Sequence, residues 1–173
     1  MRNPKSALIY LRPMRLLCVR ETGPYHVSIP KAWQRLVSWL RENELYRPIG
    51  RGYGLAHDNP GEAGAQSCRY DAGVEVPAAF AGCAMSGVSM LTLPGGAYAC
   101  RRIKGNYEGM KGVVAGVYSA FAPLPGLSID TTRPVVTIYM DNPDRNLEHE
   151  LRADICVPLS VVGGHEWPVA AIA

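Results

Sequence analysis

The tripeptide Asp-Asn-Pro occurs twice, at 58–60 and at 141–143, each time after an apolar β-like run. Other landmarks recur in the same order. "GPYH" from Gly23 has its counterpart in "GNYE" from Gly105, and a helical pattern follows each. "RYDAGVEVP" and "LRADICVPL" each carry a Val-Pro pair, at Pro77 and Pro158. The steps from Asp58 to Asp141, from Gly23 to Gly105 and from Pro77 to Pro158 are nearly equal in length. Landmarks that keep one order and one spacing point to a single unit used twice, and the fold must then accommodate a two-fold repeat.

The unit can be read from residue chemistry. "MRLLCVRETG" is rich in β-formers and ends at the turn Gly23-Pro24-Tyr25. Ser28 is the expected N-cap of a helix with Pro30 in its first turn, and Ile29, Trp33, Leu36, Val37 and Leu40 fall on one helical stripe. "RGYGLAH" and "CRYDAGVEV" follow as strands. The second unit repeats the order: "AYACRRIKG" as strand, Met110, Val113, Val114, Val117, Tyr118 and Phe121 as helix stripe, then "PVVTIYM" and "LRADICVPL". "MLTLPGGAYAC" reads as a hairpin turning at Pro94-Gly95-Gly96. The expected fold is α+β: duplicated strand–helix–strand–strand modules with pseudo-two-fold symmetry, an antiparallel sheet, two helices and a central groove. The domain spans 14–159, with half one at 14–77, half two at 87–159, a leader at 1–13 and a C-terminal tail at 160–173. Each half alone exposes an apolar sheet surface, so the halves are expected to close on one another, with a cleft at the seam.

Several function classes are disfavoured. The net charge is only +3 and the basic residues are scattered, so direct nucleic-acid binding by this chain is not expected. Arg101, Arg102 and Lys104 cluster, as on a solvated strand face. Five cysteines, Cys18, Cys68, Cys83, Cys100 and Cys156, form no CxxC pair. Three of them lie inside apolar strand-like runs and read as small buried hydrophobes, and the set points to a reducing, cytoplasmic compartment with no zinc site. His26, His57, His149 and His165 show no metal-ligand spacing, and neither metal nor cofactor is expected. Arg12, Pro13 and Arg15 interrupt the N-terminal apolar residues, against a signal peptide. From Val76 to Cys100 no residue is charged, yet Pro77, Pro94 and many small residues mark a connector, not a membrane helix. Catalytic signatures such as a nucleophile elbow, HExxH or a P-loop are absent from the sequence.

Taken together, "GPYH…AWQRLVSWL", "YGLAHDNP", "CRYDAGVEVP", "LPGGAYACRRIKGNYE" and "ELRADICVPL" resemble the GyrI-like effector-binding domain. That family includes stand-alone gyrase-modulating proteins and the C-terminal ligand-sensing domains of AraC-type and MerR-type bacterial transcription regulators. The wording is most similar to the domains of AraC-type regulators. The resemblance implies a central groove for amphipathic or cationic small molecules, multidrug-type binding, and an acid on the last strand just before the "hydrophobic-hydrophobic-hydrophobic-Pro" ending. "DICVP" puts Asp154 there, where the family usually has Glu. It also implies two alternatives to a non-catalytic binding role: hydrolysis of cyclopropane-bearing electrophiles, using Asp154 and Tyr107, and modulation of DNA gyrase. As a partner, a fused DNA-binding domain is the other expectation.

Candidate ligand-binding residues are Asp154, Tyr107, Tyr25, Trp33 and Trp39. A carboxylate facing the seam needs a partner, and a cationic ligand between aromatic walls supplies one. The bland alternative for Asp154 is a solvent-facing acid or a pair with Arg152 or Arg69. Tyr25 and Tyr107 follow equivalent glycines and either line the pocket or pin the helix. Trp33 shares the apolar stripe and is expected in the core, leaving Trp39 nearer the groove. Glu75 is expected to face outward and His57 to pack at a strand end. Asp58 and Asp141 are read as turn formers whose carboxylates cap local backbone N–H groups.

Overall fold

The computed structural model describes residues 7–46, 51–76, 86–107, 112–114, 117 and 125–162. Its strands are β1 (Ala7–Leu11), β2 (Met14–Thr22), β3 (Gly52–Ala56), β4 (Arg69–Glu75), β5 (Ser89–Leu93), β6 (Gly96–Lys104), β7 (Leu127–Ile129), β8 (Val135–Tyr139) and β9 (Arg152–Val161). Helix α1 covers Tyr25–Glu42 and a single turn, α2, covers Pro60–Ala63. In the second half Tyr107, 112–114 and 117 are helical, and Val114 and Val117 are buried. Val113 of that predicted stripe is exposed instead of buried, and its other members, Met110, Tyr118 and Phe121, lie outside the described residues, as do 77–85 of the connector. No helix among the described residues is long and apolar enough to cross a membrane.

The sheet is a curled antiparallel half-barrel in the order β1-β6-β9-β8-β3-β4-β2-β5, with β7 added to β9. The halves meet where β3 pairs with β8. Gly54 faces Thr137 in that ladder, and the step between them along the chain is the step from Asp58 to Asp141. The pair therefore lies on the pseudo-dyad, and Gly52 opposite Tyr139 is the image of Ala56 opposite Val135.

The expected hairpin at Pro94-Gly95-Gly96 does not form. Its turn chemistry instead makes a corner: β5 pairs with β2, while β6 pairs with β1 and β9. Leu11 faces Gly96 and Met14 faces Leu93, so one register runs through both corners. They touch: a Cβ on Gly95 would come within 2.7 Å of Pro13 Cδ and 2.9 Å of Leu11 O. Each half thus lends its leading strand to the other, and residues 7–11 belong to the sheet instead of forming a leader.

Both faces of the sheet are covered. In β2, Leu16, Leu17, Cys18 and Val19 are all buried. Leu16 and Cys18 join Tyr53, Leu55, Tyr98 and Cys156 inside the curl. Leu17 and Val19 join Ile29, Ala32, Leu36 and Leu40 of α1 on the other face. This is the alternation a strand imposes on a run apolar on both sides. Helix α1 begins at Tyr25, earlier than Ser28 predicts. Ser28 is buried inside the helix with its hydroxyl on Gly23 O at 3.3 Å, and Pro30 lies within the helix. Lys31 and Arg35 of α1 both pair with Glu21 of β2, fastening helix to sheet.

The duplicated Asp-Asn-Pro is a clamp between strands. Asp58 accepts from Arg69 backbone N at 2.8 Å, Nε at 2.9 Å and Nη2 at 2.7 Å. Asp141 accepts from Arg152 at 2.8, 2.9 and 2.8 Å in the same pattern. The local capping belongs to the asparagines: Asn59 Oδ1 accepts from Gly61 N at 3.1 Å, and Asn142 Oδ1 from Asp144 N at 2.8 Å. The expectation that the aspartates cap nearby N–H groups is corrected accordingly. Their reach to an arginine at the start of the next strand ties β4 and β9 to the turns before them.

Cys100 and Cys156 face one another across β6 and β9 and form a disulfide. The reading of both as isolated buried thiols is thereby corrected; two strands in register brought together cysteines 56 residues apart. Cys18 and Cys68 are free and buried.

Gly54 on the dyad makes room for Tyr70. A Cβ there would lie 2.0 Å from the Tyr70 hydroxyl oxygen. Gly54→Ala is expected to cost about 2 kcal/mol through overpacking. Tyr70→Phe in the same chain should recover part of that loss in urea unfolding, because it removes the atom in closest conflict. No recovery would mean the strain lies in the β3 backbone.

Candidate functional site

A cavity of about 420 Å³ opens between α1, the edge of β3 and the segment after β8. That lies within the usual range for small-molecule sites. It spans the seam, with residues from both halves. Ile29, Val37 and Leu40 of α1, Val74 of β4 and Leu151 form its apolar wall. Val74, Ile29 and Leu40 belong to the helix-side core, so the cavity lies on that face of the sheet.

Its aromatic floor is Trp33, Tyr107 and Tyr139. Trp33 and Tyr107 each meet Tyr139 edge to face, with ring centroids 5.0 and 4.9 Å apart. Gly52 permits this: a Cβ there would stand 2.6 Å from Trp33 Cη2. Trp33 Nε1 donates to the Tyr70 hydroxyl at 3.1 Å, and the Tyr70 and Tyr139 hydroxyls are 3.2 Å apart. Burial raises the pKa of both tyrosines, so they stay neutral. These rings, held by packing and hydrogen bonds, form a rigid π surface.

The rim is polar. Among the described residues it carries three carboxylates, Asp141, Asp144 and Glu148, against one guanidinium, Arg41. Asp141 is engaged by Arg152, whose hydrogen bonds hold its pKa below the usual carboxylate value. Glu148 Oε2 accepts from Asn106 Nδ2 at 3.1 Å, a neutral partner. Among the described residues the lining is therefore net negative, and it surrounds an aromatic floor. Physically, that combination attracts a cation with an apolar body.

The predicted residues divide between this site and elsewhere. Tyr107 and Trp33 line the cavity; Trp33, expected in the core, presents its ring to the hollow. Trp39 is half-buried against the helix-side core and is not among the lining residues. Tyr25 is buried, its hydroxyl donating to Asp58 O at 2.7 Å, so it pins the turn. Tyr107 repeats that geometry, donating to Asp141 O at 2.9 Å, while its ring edges the cavity. Burial pushes the Tyr107 pKa up to about 12.

Asp154 does not join this site. It shares its side of β9 with Cys156, inside the curl, while Ile155 and Val157 point to α1. There it accepts from Arg102 Nε at 2.7 Å and Nη2 at 2.8 Å. Arg102 is its register neighbour on β6, not the Arg152 or Arg69 considered from sequence. The image of this pair in the first half is Arg20–Asp71, joined by His57, which is thus more than a strand-end packing residue. Glu75 pairs with Arg12. Sequence reasoning missed Tyr139, Arg41, Tyr46, Asp144 and Glu148. Tyr139 was detectable in the repeat, where it stands in place of the small Ala56. Among the described residues no group of His, Cys, Asp and Glu is arranged to hold a metal ion.

The sequence pattern of the family described as GyrI-like small molecule binding domain matches residues 4–160. A DNA gyrase inhibitor of Serratia proteamaculans (strain 568) is 28% identical over 124 residues, covering 67% of this chain and 78% of the relative. DNA gyrase inhibitor 2 of Dickeya dadantii (strain 3937) is 33% identical over 88 residues, which is 50% of this chain and 55% of that relative. Among solved structures, an EcmrR–DNA complex superposes with a TM-score of 0.64 at 12% identity, covering 91% of this chain and 58% of that one. SAV2435 bound to tetraphenylphosphonium gives 0.60 at 15% identity, covering 90% and 94%. A hydrolase from Listeria innocua gives 0.59 at 16% identity, covering 92% and 94%.

Proposed function

The chain belongs to the GyrI-like small molecule binding domain family, and on that premise we propose that it is a non-catalytic effector-binding module whose cavity takes a lipophilic organic cation. The observation that carries this reading is the floor of Trp33, Tyr107 and Tyr139 beneath a rim of net negative charge. Cation–π attraction contributes about 1–2 kcal/mol in a partly desolvated site, and burial of the apolar body adds the larger share. A structural neighbour holding tetraphenylphosphonium, a cation of this shape, is in keeping with it. A neighbour solved with DNA and longer than this chain accords with a role as the sensing part of a transcription regulator, and the AraC type is proposed on the wording of the sequence alone.

The alternative of a hydrolase draws on the neighbour from Listeria innocua. In this chain the groups assigned to it are poorly placed. Asp154 lies across the sheet from the cavity, and Tyr107, with its pKa pushed up to about 12 and its hydroxyl on the Asp141 backbone, is a weak proton donor at neutral pH. Gyrase modulation draws on the names of the relatives and has no surface of its own in the geometry described.

Calorimetric titration with tetraphenylphosphonium tests the proposal. One site per chain with a negative heat-capacity change is expected. No heat and no change in tryptophan emission up to about 1 mM, the weakest affinity worth the name of a site, would remove it.

A further inference from the structure

The mouth of the cavity is bridged by a contact between the two halves. Arg41, in the last turn of α1, donates from Nη2 to Asp144 Oδ2 at 2.8 Å. The Tyr46 hydroxyl donates to the same oxygen at 2.6 Å. The Arg41 guanidinium lies over the Tyr46 ring, 4.8 Å from its centroid, and Asn142 Nδ2 reaches the Tyr46 hydroxyl at 3.4 Å. Arg41 and Tyr46 belong to the first half, Asn142 and Asp144 to the loop after β8, and all four line the cavity.

The magnitude of this contact decides what it does. Arg41 and Asp144 are 58% and 51% exposed. A pair in that much water contributes little to stability, because solvent screens the attraction and two long side chains lose rotamer freedom to make it. It is too weak to be what holds the halves together; the β3–β8 ladder and the shared core do that. Yet a guanidinium stacked on a rim tyrosine and bound to a rim carboxylate occupies the place and the chemistry that a ligand's positive group would use. An incoming cation meets Asp144 already neutralised and Arg41 of its own sign.

We infer that Arg41 is a resident competitor, a built-in cation that the ligand must displace from Asp144. This rests on the reading of the cavity as a cation site and adds to it a specificity rule. A ligand has to offer enough aromatic or apolar body to the floor to displace an arginine held at high local concentration. Small hydrophilic cations, polyamines included, are excluded by the same device. Displacement also frees α1 from the loop after β8, so occupancy is reported at the surface where the two halves meet.

The test uses the full chain and two probes, tetraphenylphosphonium and the neutral triphenylphosphine oxide, with two variants. Arg41→Ala removes the competitor. Arg41→Gln keeps most of the stem and a hydrogen-bonding amide without the charge. Both variants are expected to bind tetraphenylphosphonium about 3- to 10-fold tighter than wild type and to leave the neutral probe unchanged. The gain should shrink as salt rises from about 20 mM to 0.5 M, where exposed charges are screened, and should vanish when Asp144→Asn is added. Unchanged or weaker cation binding in both variants overturns the inference while the ligand reading stands. Equal gains for both probes also overturn it, because the mouth has then merely been widened. If neither wild type nor variants bind the cation, the ligand reading falls and takes the inference with it.

Discussion

Asp71→Asn is expected to destabilise the fold by about 3 kcal/mol, a fall in melting temperature of about 10 °C, and to leave cation binding intact. The Asp71 side chain is 2% exposed and lies inside the curl of the sheet. It accepts from Arg20 Nε and Nη2, both at 2.7 Å, and contacts His57 Nε2 at 2.7 Å. Burial alone would push its pKa up. The hydrogen bonds from Arg20 and then His57 outweigh burial and hold it below the ordinary carboxylate value. The folded pKa is thus lower than the unfolded one. The carboxylate therefore contributes stability at pH values above about 4, and that contribution is lost as pH falls through the folded value. Asparagine offers one acceptor oxygen where the carboxylate has two, and it leaves the Arg20 charge uncompensated. The symmetry supplies the control. Asp154 makes the same two-pronged bond to Arg102, but Arg102 and Asp154 are 56% and 19% exposed, and Met140 stands where the first half has His57. Asp154→Asn is expected to cost less than about 1 kcal/mol. Urea unfolding and tetraphenylphosphonium titration of both variants read out the difference. Equal costs would mean that burial does not separate the two pairs. Loss of cation binding in Asp154→Asn would return the ligand anchor to the last strand, where the family resemblance puts it.

The contrast between these two aspartates shows what could and could not be seen in the sequence. The repeat was legible because Asp58 and Asp141 each fix an arginine at the start of the next strand. That geometry needs those residue types at that spacing, so it left the same words twice. The face of Asp154 was not legible. It sits between Ala153 and Ile155 in a run apolar on both sides, and a strand with both faces buried has no polar alternation to orient it. The exchange of β1 and β5 was hidden for a similar reason. Pro94-Gly95-Gly96 has the chemistry of a turn, and only the contact of Gly95 with Pro13, far away in the chain, converts that turn into a corner. The floor of the site was half readable: Tyr107 by its glycine, and Trp33 as a candidate whose place on the helical stripe nevertheless pointed to the core. The rim was not, because Arg41, Asp144 and Glu148 occupy exposed polar positions that look in sequence like any solvated surface.

Trp33→Ala should have the largest effect on binding: affinity for tetraphenylphosphonium is expected to fall about 100-fold. Trp33 is the residue on which floor, core and symmetry axis converge. Its indole meets Tyr139 edge to face at 5.0 Å, donates to Tyr70 at 3.1 Å and lies against Gly52 in the strand that joins the halves. Alanine removes the cation–π face, about 1–2 kcal/mol. It also removes apolar area that the ligand would cover, about another 1–2 kcal/mol. The sum near 3 kcal/mol corresponds to two decades of affinity. Part of the loss passes through the neighbours: the Tyr70 hydroxyl loses the indole donor, and the Tyr139 ring loses an edge-to-face partner. Trp33→Phe separates the contributions. It retains a π face but not the donor, and is expected to bind within about fivefold of wild type. The alanine variant also loses about 3 kcal/mol of stability, the lower end for removing a large aromatic, since Trp33 is only half-buried. Titrations are therefore made well below its melting temperature, and its near-ultraviolet circular dichroism is compared with that of wild type to show that the remaining aromatics stay packed. If a folded Trp33→Ala chain binds within about threefold of wild type, the aromatic floor is not where the cation sits, and the net negative rim alone would have to hold it.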